Sequence, residues 1–343
     1  VIEVSKNQEE KCFDGTTSAV VIAGELLKEA EGLLQQQIHP TIIARGYRIA
    51  AQEALSELEN IGWSPTGDDF FGVAHTALTG KSAEAAIEVI SKMSVEAVDM
   101  TARGNVFDMD DVKVLSFEGG AYDESILLPG VLVEKEKLHS SMPTEMGESD
   151  ILLLMSAIEV KKTKTDMQFN VNDPTQVDKF LAQEEKAIKD MVDSIIESGA
   201  GIVVCNKDVD DLAVHYLAKA GIYCIKRVKK SDMESLHRLT GAALVNDDIS
   251  MDALGSCSLK EVRFGEHRCT LIEVDGAKTV TAILRGSTGH SVDEIERAFD
   301  DALGVVGLAF NDGKLVAGGG AIHAWLSHCL RNIATTKGGR VGM

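Results

Sequence analysis

Phe13-Asp14-Gly15-Thr16-Thr17-Ser18-Ala19-Val20-Val21 lies near the start of the chain and decides how the rest is read. An acid and a glycine lead into three hydroxyl residues. Small or apolar residues then recur at Val20, Ala23, Leu26, Leu27, Ala30, Leu33 and Leu34, the spacing of an amphipathic helix. A helix beginning here presents free backbone N–H groups in its first turn, and its dipole adds partial positive charge. The result is a cradle for an anion. Thr16, Thr17 and Ser18 can hydrogen-bond phosphate oxygens, and Asp14 could face phosphate only with a cation such as Mg²⁺ between them. The bland alternative is that Asp14 or Thr16 merely caps the helix.

The run from Asp14 through Leu27 resembles the phosphate-binding signature of the group II chaperonins, the thermosomes of archaea and the CCT complex of the eukaryotic cytosol. The resemblance continues at His39-Pro40-Thr41-Ile42-Ile43-Ala44-Arg45-Gly46-Tyr47, at Asp211 to Leu217, at Arg227 to Met233 and at Val316-Ala317-Gly318-Gly319-Gly320-Ala321. These landmarks arrive in family order. A multidomain α+β fold is implied: a helical equatorial domain, a mixed α/β intermediate domain, and an α/β apical domain with a helical protrusion. Residues 1–64 and 316–343 would be parts of the equatorial ATP-binding domain. Residues 65–125 and 284–315 would form the intermediate domain, and 126–283 the apical, substrate-binding domain, with a lid protrusion at about 164–190. A family subunit would carry further sequence on both sides, so the chain is expected to be a central fragment or truncated form.

Composition fits a folded protein, with 44% hydrophobic residues and five prolines. A net charge of −20 argues against a nucleic-acid binder held by phosphate contacts. No apolar run approaches the ~20 residues of a membrane span, and no signal peptide is visible. Cysteines at 12, 205, 224, 257, 269 and 329 form no C-x-x-C pair and read as buried thiols of a reducing compartment, hence a cytoplasmic protein.

Along the chain, a second helix starts at Pro40 and stops at Asn60-Ile61-Gly62, and a looser segment follows Pro65. Thr79-Gly80-Lys81-Ser82 opens another helix. It is not a P-loop, because His75 occupies the position of the first required glycine. Short apolar runs at 112–115, 131–133 and 151–155 predict strands. A long helix opens at Asp173-Pro174 and is charged at Gln183 to Lys186, which predicts partial docking. Then strands at 202–205, 222–225 and 243–245 alternate with helices, one from Asp208 and one capped by Ser231 and Glu234, implying parallel strands with crossovers. The glycines 199 and 201 precede a strand, so the dinucleotide fingerprint is absent. Strands resume at Arg268–Val274 and Thr279–Leu284, and Ser291 with Glu294 is expected to cap a helix carrying Asp300 and Asp301.

Adjacent acids on a helix are ordinarily solvated. The resemblance implies more for Asp301, which aligns with the family aspartate that positions the hydrolytic water. It likewise implies that Gly318, Gly319 and Gly320 face the nucleotide, where the alternative is a plain hinge. Lys81 either senses the γ-phosphate, as a family lysine near here does, or is a surface lysine. ATP and Mg²⁺ are thus the implied cofactors, with Asp14 as metal ligand. Unfolded polypeptide and other chaperonin subunits in a ring are the implied partners. A reading from another class is a non-hydrolysing polypeptide-binding module with an inert ATP half. His323 and His328, five apart beside Cys329, do not make a zinc site. Two positions depart from the family pattern: Phe13 stands where glycine usually precedes the aspartate, and His323 where an acid is common. Both bear on turnover rather than on the fold.

Overall fold

A computed structural model describes residues 2–81, 84–160, 174–246 and 249–337. The opening of the expected protrusion, at 164–173, and the cap expected at Asp173 lie outside these residues. The chain divides into two compact units. One comprises Val1–Val98, Arg103–Met109 and Asp293–Met343, and the other Asp99–Ala102 and Asp110–Val292.

Helices α1 (Ile2–Cys12), α2 (Thr16–Gln35), α3 (Pro40–Ile61), α4 (Gly67–Leu78) and α5 (Ile87–Thr101), whose residues up to Val98 belong to it, build the start of the first unit. His39 caps α3, its side chain accepting from the Thr41 N–H, and Pro40 fills the first position. Helix α4 corrects the looser segment expected after Pro65. Its capping box is legible in retrospect, since the Thr66 N–H and hydroxyl both reach Asp69 Oδ2 at 2.8 Å. Two glycines inside α4 had weakened the helical signal.

The second unit holds strands β1 (Val112–Glu118), β2 (Ile126–Pro129), β3 (Val131–Val133) and β4 (Glu145–Leu154), helix α6 (Pro174–Ser198), β5 (Ile202–Cys205), α7 (Asp211–Lys219), β6 (Tyr223–Ile225), α8 (Lys230–Thr240), β7 (Leu244–Val245), β8 (Gly255–Phe264), β9 (His267–Glu273) and β10 (Val280–Gly286). A three-stranded sheet runs β1-β10-β2, with β1 and β10 parallel. The larger sheet runs β3-β9-β8-β4-β5-β6, and β7 also pairs with β4. The expected parallel crossovers are present, because β4, β5, β6 and β7 pair in parallel. Strand β8 was not anticipated. Only Cys257 and Leu259 are buried along it, and its place comes from β4 and β9 on either side.

The apolar runs in β4 and β5 follow from burial on both faces. Leu152, Leu154 and Val203 pack against Ile188, Val192 and Ile195 of α6 and Leu217 of α7. Ile151, Leu153, Ile202 and Val204 face Met233, Leu236 and Leu239 of α8. The stretch of α6 after its charged break is thus docked on the sheet.

Two caps differ from expectation. Helix α7 begins at Asp211 with Asp210 as its cap, and α8 follows Lys229 without a side-chain cap, so Ser231 and Glu234 form no capping box. Four cysteines are buried, and burial pushes the Cys205 thiol up to about 11 and Cys257 to about 12, leaving them inert. Cys12 and Cys329 are only partly buried, contrary to the uniform burial expected.

Lys113 of β1 and Asp232 of α8 form an ion pair at 2.7 Å, with side chains only 10% and 14% exposed. Burial holds the Lys113 ammonium below its usual pKa, and Asp232 works against that. Removing one partner strands the other. Asp232→Ala should destabilise the second unit by about 3 kcal/mol, whereas replacing both residues by leucine should cost far less. Urea unfolding of the variants checks this.

Residues 110–292 produced alone should unfold cooperatively, since both sheets are complete within them. The shorter 126–283 removes β1 from beside β10 and should melt lower. Circular dichroism melts of the two pieces would reveal an equal or reversed order.

Candidate functional site

The first unit also contains helices α9 (Gly289–Asp312), whose residues from Asp293 onward belong to it, and α10 (Ala321–Lys337). The start of α9 differs from expectation. Ser291 Oγ accepts from the Thr288 N–H at 3.2 Å, while the Ser291 N–H donates to Thr288 Oγ1, so Thr288 and Ser291 form the cap.

At the head of α2 the capping alternative does not hold. The N-cap is Gly15, in the left-handed region at φ 76°, and no side chain caps the helix. Neither Asp14 nor Thr16 is used up as a cap, and the first-turn N–H groups keep their anion-binding capacity. The Asp14 carbonyl accepts from Gln8 Nε2 at 3.0 Å, tying the loop to α1.

Three predicted residues converge here. Lys81 Nζ donates to Asp301 Oδ2 at 2.6 Å and lies 3.9 Å from Asp14 Oδ1. Lys81 is in the loop after α4 rather than in a helix, since α5 begins only at Ile87 after a short turn at 84–86. The three side chains are between 32% and 48% exposed, so the pairs contribute little to stability, about 0.2–1 kcal/mol for such contacts. Their value is positional. One ammonium holds two carboxylates from distant parts of the chain at the mouth of the cradle.

Mg²⁺ fits the residues present. The donors are all oxygen, from one carboxylate and neighbouring hydroxyls, and no group of three or more His, Cys, Asp or Glu side chains forms a metal cage among the described residues. Magnesium is commonly held this way, through one or two carboxylates plus phosphates and water.

Gly318, Gly319 and Gly320 form the turn before α10, with φ of 64° at Gly319 and 83° at Gly320. A Cβ at any of the three would meet open space. No hydrogen bond or ion pair among the described residues links this turn to Asp14, Lys81 or Asp301. A separate apolar cavity of about 590 Å³ lies between α2, α3 and α10, lined by residues such as Ile22, Ile43, Tyr47 and His323. None of the cradle residues lines it.

Sequence reasoning flagged Phe13 but missed its seat on α9, and it missed Phe107 and Asn311. Phe13 has φ 58°, a conformation rare for an aromatic residue, and its ring lies against Gly304 of α9. The ring of Phe107 lies against Gly307 in the same way. Asn311 then brackets Phe107, accepting from its N–H at 2.7 Å and donating to its carbonyl at 2.9 Å. Glycines three residues apart on an amphipathic helix were the available signal.

Asp300 keeps an exposed face but is hemmed in by protein, and this burial, with Glu296 and Asp301 adding like charge, pushes its carboxyl up to about 6. A raised carboxylate pKa means that ionisation opposes folding. The cost is absent at about pH 4, grows as pH rises through 6, and is complete above it. Asp300→Asn should therefore raise the melting temperature at pH 7.5, with the gain vanishing by pH 4. Thermal melts across that range check the sign.

The sequence profile of the TCP-1/cpn60 chaperonin family matches residues 1–343. A thermosome subunit beta of Methanothermobacter thermautotrophicus is 45% identical over 345 residues, covering 99% of this chain and 64% of that protein. A thermosome subunit of Pyrococcus horikoshii is likewise 45% identical, with 99% and 64% covered. Among solved structures, the open-state monomer of a group II chaperonin from Methanococcoides burtonii superposes with a TM-score of 0.75 at 35% identity, over 96% of this chain and 79% of that one. The chain thus spans about 64% of the length of the curated relatives it matches.

Proposed function

Because the chain belongs to the TCP-1/cpn60 chaperonin family, we propose that it is an ATP-dependent chaperone subunit. It binds unfolded polypeptide and, with other chaperonin subunits, encloses it in a ring chamber in the cytoplasm. The convergence of Asp14, Lys81 and Asp301 beside the uncapped head of α2 carries this reading.

In this proposal residues 1–64 and 316–343 bind nucleotide, 65–125 and 284–315 form the intermediate domain, and 126–283 hold the client, with a lid at about 164–190. The first-turn N–H groups and the hydroxyls of Thr16, Thr17 and Ser18 receive the phosphates of ATP. Asp14 holds magnesium, which when bound neutralises phosphate charge. Lys81 exchanges its carboxylate partners for phosphate oxygen, which frees Asp301. Asp301 then orients a water for attack on the γ-phosphorus, and the bond to the β-bridging oxygen breaks to release ADP. The Gly318–Gly320 turn admits the ribose and base.

The exposed apolar side chains of α2 support assembly with further protein. No residue of α2 is buried, and Val21, Ile22, Leu26, Leu27 and Leu34 are all exposed. Contiguous patches of this kind mark interaction surfaces.

Two substitutions separate binding from chemistry. Asp14→Ala should weaken Mg-ATP binding in calorimetry. Asp301→Ala should leave that affinity nearly intact while slowing single-turnover hydrolysis by about 10²–10⁴-fold. Hydrolysis at the parental rate in Asp301→Ala would make it a solvated helix acid. Nucleotide binding without any turnover in the parental chain would favour a non-hydrolysing binding module instead.

A further inference from the structure

We propose that Phe13 is a positioning residue for ATP hydrolysis: its ring, seated where Gly304 lacks a side chain, sets how far Asp301 stands from Asp14 and Lys81. This rests on the function proposed above and goes beyond it, because neither Phe13 nor Gly304 has a part in the nucleotide cradle itself.

Two locally unfavourable choices meet in this contact. A phenylalanine at φ 58° occupies a region that non-glycine residues avoid, and a glycine in a helix interior lowers helix propensity. Each is explained by the other. A Cβ on Gly304 would overlap the Phe13 ring, with Cδ2 only 2.6 Å away, so only glycine admits the ring at this depth. The left-handed turn aims the ring at the helix. The Phe13 N–H donates to the Glu9 carbonyl at 3.0 Å, which fixes the turn to the end of α1.

The contact is placed to act on both carboxylates. Phe13 directly precedes Asp14. Gly304 lies three residues beyond Asp301, so the two are neighbours on the surface of α9. One further turn along, Gly307 takes the Phe107 ring and Asn311 locks that residue's backbone. Helix α9 is thereby held at two adjacent glycine notches by aromatic rings. The thickness of the Phe13 ring, and not a polar contact, determines the reach of Lys81 to Asp301, now 2.6 Å. A ring this close leaves no room for a methyl group without pushing α9 away from the cradle.

The test is a double-mutant cycle on the full chain, read as kcat and KM for Mg-ATP. Gly304→Ala should lower kcat about 10–100-fold, the scale of an ångström-sized misplacement, with KM within about twofold of parental. Phe13→Gly alone removes the ring that sets the distance and should also lower kcat; because both substitutions act through one contact, the double variant should lose no more than the larger single loss. A merely structural contact would change stability without lowering kcat selectively. Parental kcat in Gly304→Ala or in Phe13→Gly, or losses that simply add in the double variant, would overturn the proposal. A second measurement needs no turnover. Phe13→Cys with Gly304→Cys, in a Cys12→Ser background, should form a disulfide when a mild oxidant takes up the two electrons, in the nucleotide-free chain, seen as a mass loss of about two hydrogen atoms. Failure of that bond to form refutes the contact. A parental chain without turnover counts against the proposed function, while the disulfide still decides whether Phe13 seats on Gly304.

Discussion

Close approach of an aromatic side chain to the backbone of α9 is the constraint on which the first unit depends. That unit is assembled from three separated stretches of chain, so something must return Asp293–Asp312 to the N-terminal helices. Hydrogen bonding contributes at one end, where Trp63 and Leu315 exchange backbone bonds at 3.0 and 2.9 Å. Packing contributes along the helix. Phe13 and Phe107 enter notches at Gly304 and Gly307 that any Cβ would fill. The ion pair of Lys81 with Asp301 is a consequence of that approach, because an exposed pair is too weak to enforce it.

The two units distribute their apolar surface differently. In the second, helices cover the sheet on both faces, so β4 and β5 are buried throughout their shared ladder. A core of this kind closes on itself. In the first, α2 buries no residue and α3 buries only Ile43, although both carry well-formed apolar stripes. Amphipathicity in these helices records a requirement for packing that the described residues do not meet.

Charge acts locally in spite of the overall excess of acid. The net charge of −20 fixes no contact, but burial first, with the like charges of Glu296 and Asp301 adding to it, pushes the Asp300 carboxyl up. Asp208 shows the opposite case. Lys226 and Arg227 both pair with it, and hydrogen bonds from them hold its carboxyl well below the usual range. Acids on one chain thus behave differently according to whether the fold buries them or delivers cations to them.

By itself, the sequence determined the elements whose signal is local. The helices at 16–35 and 40–61, the strands of the parallel crossovers, and the phosphate-cradle stretch were legible because periodicity, caps and motif order are written in consecutive residues. It also brought Asp14, Lys81 and Asp301 together as candidates through the family resemblance. Tertiary structure alone decided the rest. Strand β8 exists because β4 and β9 flank it, and Gly15 rather than Asp14 caps α2 because the turn at Phe13 aims the chain there. The seating of Phe13 on Gly304 joins residues almost the whole chain apart, and no window of consecutive residues contains both halves of that contact.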